Sequence, residues 1–155
     1  MESLRGAREG TLEKSRRDDL TVGPIHRKPR TAAELSPEEL EHYRQMARER
    51  LTRKREALAK RRERAWEVAR RVAAILKERF GASGVWVCGS LLRRGFGPTS
   101  DVDLVVEGLS PDTFTQALRA VEELNAEIDI DLMRWEEETL PLSLRRMVKR
   151  EGVEL

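Results

Sequence analysis

The alternation of apolar and polar positions changes character along the chain, and each change marks an element. Up to Leu35 no period of either kind is sustained. Charge runs such as Lys14, Arg16, Arg17, Asp18 and Asp19 are broken by Gly23, Pro24 and Pro29, so residues 1–35 read as a disordered or loosely attached tail. Ser36, Pro37, Glu38 and Glu39 then predict a helix start: a serine N-cap, proline at the first helical position, and a glutamate three residues on to close a capping box. The next breaker is Gly81. Trp66, Ala69, Ala73, Leu76 and Phe80 fall at i, i+3, i+7, i+10 and i+14, with Val72 beside them, which predicts an amphipathic helix with one face on a sheet. A helix unbroken from Pro37 to Phe80 would be about 66 Å long, more than the width of such a domain. Between its two ends the pattern is different: Thr52 to Arg64 holds seven basic residues against two acidic ones, with Leu58 as the largest apolar side chain. The reading is an arginine-rich helical extension at 36–65 ahead of a folded domain at 66–155.

After Gly81 the pattern shortens to strands and turns. Val85 to Cys88 is a β-branched and aromatic run, and Asp101 to Val106 opens with polar–apolar alternation. Ser110 and Pro111 repeat the cap-plus-proline start for a helix to about Leu124, with Phe114, Leu118, Val121 and Leu124 on one face. A third strand is expected at Ile128 to Met133, a short helix at Pro141 to Arg150 stopped by Gly152, and an edge strand at Val153 to Leu155. No internal repeat interrupts this order.

Composition narrows the function classes. With 155 residues, 39% hydrophobic, the chain suffices for one modest core and not for two full domains. Basic and acidic residues nearly balance at a formal charge of +2, so nucleic acid is not expected as a partner and any basic surface is local. No stretch approaches the roughly 20 apolar residues of a membrane span, and charges occupy the first thirty positions where a signal peptide has its apolar core, which reads as a cytoplasmic protein without membrane contact. Cys88 is the only cysteine, and His26 and His42 lack zinc-ligand spacing, so neither an internal disulfide nor a structural zinc is expected.

The candidate chemistry lies between the first two strands. Gly89 and Ser90 end the first, a glycine-containing loop with Gly95 and Gly97 follows, and Asp101-Val102-Asp103 opens the second. Side chains alternate along a strand, so Asp101 and Asp103 share one face. Two carboxylates so close repel unless a cation sits between them, and Mg²⁺ prefers such oxygen ligands; Mn²⁺ fits the same set. Asp129 and Asp131 share a face in the third strand in the same way, and either completes the group if that strand lies beside the second.

At these residues the chain resembles the minimal nucleotidyltransferases of the DNA polymerase β-like superfamily: Gly89-Ser90, ten intervening residues, then Asp101-x-Asp103 and a later single aspartate. Asp131-Leu132-Met133 and the final Arg150-Glu151-Gly152-Val153 resemble later stretches of the same family, and the likeness spans roughly Trp66 to Leu155. It implies an α+β nucleotidyltransferase fold, a short mixed sheet with helices mainly on one face, here with a long N-terminal helical extension. It also implies Asp101, Asp103 and Asp131 as catalytic and metal-binding residues for two Mg²⁺ ions. Gly89 and Ser90 would bind the phosphates of ATP or another nucleoside triphosphate. Separately from the resemblance, a guanidinium donates bidentately to phosphate, so Arg93 is a candidate phosphate donor; a solvated loop position is the other reading of Arg93 and Arg94. The implied reaction moves AMP onto a hydroxyl. In the family, many small members are antitoxins that pair with a helical HEPN toxin and can adenylylate it, and others modify aminoglycosides; here a HEPN partner would be a separate protein. Oligomerisation is left open.

Other readings attach to the same residues. Leu92 stands where the family often has alanine, and Arg94 displaces the following glycine to Gly95. This motivates an alternative: a binding module, inactive or weakly active, that neutralises a partner through the helical extension. The basic run is expected as a solvated helix face with i,i+4 pairs, Cys88 as a small buried residue, and Trp66, Trp86 and Trp135 as core or rim.

Overall fold

The computed structural model describes residues 31–124, 127–138 and 140–155. The chain divides into two compact units, Met1–His42 and Tyr43–Leu155. Most of the expected tail, residues 1–30, lies outside the described residues. In the first unit the Thr31 N–H donates to Glu34 Oε2 at 2.9 Å over a 3₁₀ turn at Ala32–Glu34. The Ser36 N–H donates to Glu39 Oε2 at 2.9 Å while Ser36 Oγ accepts from the Glu39 N–H at 3.2 Å. The capping box is therefore formed in both directions, and it opens helix α1, Pro37–Phe80, 44 residues without a break.

In the second unit α1 buries Ala69, Val72, Ala73 and Leu76 of the stripe that the periodicity predicts, together with Ala65, which lies outside it, while Trp66 and Phe80 from that stripe are only partly buried against the same core. The helix ends where Gly81 takes φ 74°, which lets the Ala82 N–H turn back to the Leu76 carbonyl at 3.0 Å. Strand β1 (Gly84–Cys88), strand β2 (Val102–Glu107), helix α2 (Pro111–Glu122), strand β3 (Ile130–Arg134), helix α3 (Leu142–Glu151) and strand β4 (Val153–Glu154) follow. Ser110 caps α2 by accepting from the Thr113 N–H at 3.2 Å, with proline next in line.

The sheet order is β3-β2-β1-β4. Strand β1 is antiparallel to both β2 and β4, whereas β2 and β3 are parallel because α2 carries the chain back between them. Alternation sends Val85, Val87, Val102, Leu104, Val106 and Leu132 into one layer, where they pack against Ala69, Val72 and Leu76 of α1 and Ala117 and Val121 of α2. On the opposite face Cys88 and Val105 meet Val148 of α3, with Trp86, Met133, Trp135, Leu144 and Met147 around them. The fold is thus the expected mixed α+β sheet, with α1 and α2 on one face and only the short α3 on the other. Strand β3 begins two residues later than its apolar pattern suggests: Ile128 is buried ahead of the ladder, and the Asp129 carbonyl accepts from the Val102 N–H of β2 at 2.9 Å. Among the described residues no helix is long and apolar enough to cross a membrane.

Candidate active site

The alternation that fills the core leaves the acidic residues on the face that α3 shares. In register Cys88 of β1, Asp103 of β2 and Asp131 of β3 form one row across three neighbouring strands. Adjacent strands lie about 4.8 Å apart, so the Asp103 and Asp131 side chains stand next to each other. Asp101, exposed just before β2, has the same parity along the chain. Asp129 has that parity ahead of β3, but Asp131 is the residue in register with Asp103.

Beside this row the chain leaves β1 through Gly89. Its φ of 72° lies in the region that side chains disfavour, and a Cβ there would run into the Asp103 carboxylate. Gly89–Leu92 form a 3₁₀ turn anchored by Leu91, which is fully buried. The turn aims the Ser90 N–H at Asp103, where it stabilises the carboxylate. The Ser90 hydroxyl is buried with no hydrogen-bond partner, and an unsatisfied buried polar atom beside a carboxylate row calls for an explanation.

The electrostatics follow from the crowding. Burial, and then the charges of Asp101 and Asp131, push the Asp103 carboxyl above the usual carboxylate range against the Ser90 N–H. The Cys88 thiol is pushed up to about 12 by burial and then by Asp103 and Asp131. It donates weakly to the Asp103 carbonyl at 3.7 Å and is a buried, protonated filler, as expected. None of the described Lys or Arg side chains forms an ion pair with Asp101, Asp103 or Asp131. No three of the described His, Cys, Asp and Glu side chains are gathered into a ready metal cage; mutual repulsion opposes such convergence without a cation. The donor chemistry, carboxylate oxygens plus a hydroxyl without a partner, suits a hard divalent ion carrying a phosphate.

Arg93 stands elsewhere. It is exposed, and its Nη2 bonds Glu151 Oε2 at 2.7 Å, tying the loop after Ser90 to the end of α3. Arg150 shares that carboxylate at 2.6 Å, and the hydrogen bonds of Arg150 and then Arg93 hold Glu151 below its ordinary range. Arg94 is exposed. Trp86 and Trp135 lie on the carboxylate side of the sheet with ring centroids 6.5 Å apart, Arg145 and Lys149 covering Trp135, and a cleft of 320 Å³ beside them.

Arg61 and Arg62 depart from the expected solvated face. Both are half-buried and donate to loop carbonyls, Arg61 to Ser100 at 2.9 Å and Arg62 to Leu91 at 2.8 Å. The signal for them was present in the spacing, because Arg61 and Arg62 precede Ala65 by four and three residues and extend the buried stripe by one turn.

Residues 69–154 match the family described as nucleotidyltransferase domain, and the chain belongs to that family, as Gly89-Ser90 and Asp101-x-Asp103 led one to expect. The fold is similar to a solved structure described as a mutant of the toxin–antitoxin MntA–HpeT, at 14% identity and TM-score 0.43, over 56% of this chain and 70% of that one. No curated protein matches the sequence.

Proposed function

We propose that this member of the family transfers a nucleoside monophosphate, AMP from ATP, to a hydroxyl of a protein acceptor. The observation that carries this is the row of Asp103 and Asp131, with Asp101 ahead of it, beside a glycine turn whose buried Ser90 hydroxyl has no partner. Asp101, Asp103 and Asp131 would hold the divalent cations, Mg²⁺ first. A metal held there would supply Lewis-acid polarisation of the transferred phosphate and stabilise the charge that develops during the displacement. The Ser90 hydroxyl and the N–H groups of its turn donate to phosphate oxygens. Asp131, the more exposed of the paired carboxylates, takes the proton of the acceptor hydroxyl as its oxygen bonds to the α-phosphorus, and the bond to the bridging oxygen breaks to release pyrophosphate. Arg93 joins the phosphate grip only if it leaves Glu151. The acceptor is proposed to be a separate helical protein of the HEPN kind, with this chain as its antitoxin. The test is mass spectrometry of a lysate incubated with ATP, Mg²⁺ and the wild-type chain or Asp101→Asn/Asp103→Asn. An AMP adduct formed only with wild type supports the reading, and no adduct with either overturns the transfer.

One observation favours the contact-only alternative: α1 presents Tyr43, Met46 and Leu51, 57%, 38% and 55% exposed, ahead of its buried stripe. Under that reading Asp101→Asn/Asp103→Asn neutralises the partner as well as wild type does.

A further inference from the structure

The basic run of α1 reaches the candidate site without touching its carboxylates. Leu91 directly follows Ser90, and Ser100 directly precedes Asp101. The carbonyls of these two residues are the ones that Arg62 and Arg61 hold, at 2.8 and 2.9 Å. Two adjacent residues of one helix therefore grip both ends of the loop that separates the phosphate-side turn from the first carboxylate. We propose that Arg61 and Arg62 are positioning residues that clamp loop 91–100 and thereby set Ser90 against Asp101 and Asp103. The clamp's role toward a nucleotide rests on the nucleotidyltransferase reading above.

The surroundings of each arginine argue for this role. Neither carbonyl lies in a strand, so neither is engaged in the sheet ladder. A guanidinium donating to a carbonyl makes a charge-assisted bond, stronger than a neutral one. The Arg61 guanidinium also lies over the ring of Phe96, 6.0 Å from its centroid, and Phe96 is itself buried in the middle of the loop. At the Ser100 end, Ser100 Oγ accepts from the Gly97 N–H at 2.9 Å and the Ser100 N–H donates to the Gly97 carbonyl at 3.3 Å. The carbonyl that Arg61 holds thus belongs to a turn closed by two hydrogen bonds between Gly97 and Ser100. Arg61 Nε is buried with no partner. Its place against the loop is held by Nη2, which donates to the Ser100 carbonyl. Elsewhere in the run Arg53, Lys54, Arg55, Lys60 and Arg64 are exposed, which separates the two clamping residues from their neighbours.

The test uses the full chain with Arg61→Ala, Arg62→Ala, Arg61→Lys and Arg62→Lys, and Arg55→Ala as a control for helix charge. Two readouts are taken: amide hydrogen exchange, and calorimetric titration with Mg²⁺ and ATP. The clamp predicts that each alanine variant speeds exchange across 91–101 by about tenfold or more while the β1–β2 ladder stays protected. It also predicts that each weakens the affinity for ATP with Mg²⁺ by about tenfold. The lysine variants fall between, because an ammonium is a point charge without the guanidinium fork, and Arg55→Ala matches wild type. Wild-type loop exchange in the alanine variants overturns the clamp. Faster exchange with unchanged affinity overturns the positioning role. If an alanine variant fails to fold, its lysine counterpart decides on the same two criteria. If wild type itself binds no ATP with Mg²⁺, the nucleotide reading fails separately, and loop exchange alone decides whether the arginines clamp.

Discussion

Asp103 has charge on both sides and a glycine at its shoulder, and two predictions follow from that position. At Gly89→Ala the new Cβ meets the Asp103 carboxylate at a φ of 72°, and the left-handed backbone adds about 1–2 kcal/mol. The affinity for ATP with Mg²⁺, read by calorimetry, should fall about tenfold or more; an unchanged value would show that the turn does not shape the site. The second prediction concerns pH. The Asp103 carboxyl is raised in the fold by burial and by Asp101 and Asp131, so the folded chain holds this proton more tightly than the unfolded one. The stability it contributes is present in full below the ordinary value of 3.8 and is lost as pH rises through the raised value. At neutral pH without metal, Asp103→Asn should therefore melt above wild type, and the gap should close as pH falls toward 4. Thermal melts across that range check it; an Asn variant that is less stable at neutral pH would contradict the electrostatic account. The shared parity of Asp101 and Asp103 was legible in the sequence because it needs only the two-residue period of a strand. Which of Asp129 and Asp131 stands beside Asp103 depends on a register that is set across the α2 crossover, so the strand's own pattern leaves both open. Arg93 pairs with Glu151, 58 residues away, and no local pattern encodes a partner at that distance.

The elements were more legible than their pairings. The capping box at Ser36, the N-cap at Ser110 and the face of Ala69, Val72, Ala73 and Leu76 each arise from contacts within a few residues and appear where the local pattern places them, whereas β3 starts two residues late. The parallel pairing of β2 with β3 and the placement of α3 on the far face are long-range outcomes that hydrophobic pattern leaves open. The arginine-rich segment, expected as a solvated helix face, is half-buried at Leu58, Arg61 and Arg62, because its charges hide the continuation of the packed face of α1 by further turns. Within that face Leu76 is fully buried between α1 and the sheet. Leu76→Ala should cost about 2–5 kcal/mol in urea unfolding through lost burial and the cavity left behind. A loss below about 1 kcal/mol would mean that α1 is not integral to this core.

At the scale of the molecule, nearly balanced charge conceals local separation: a basic run on α1 and an acidic row at the sheet. The two meet through the backbone of the loop between them, because Arg61 and Arg62 bond carbonyls rather than the carboxylates. Among the described residues no Lys or Arg forms an ion pair with the acidic row, and under the proposed function that row receives the metal of a metal–nucleotide. The measurement that tests this most directly is calorimetric titration of ATP into wild type and into Asp101→Asn/Asp103→Asn, each with and without Mg²⁺. The account predicts binding by wild type that requires the metal and is lost in the variant. Binding that persists without Mg²⁺ or in the variant, or none in folded wild type, would contradict it.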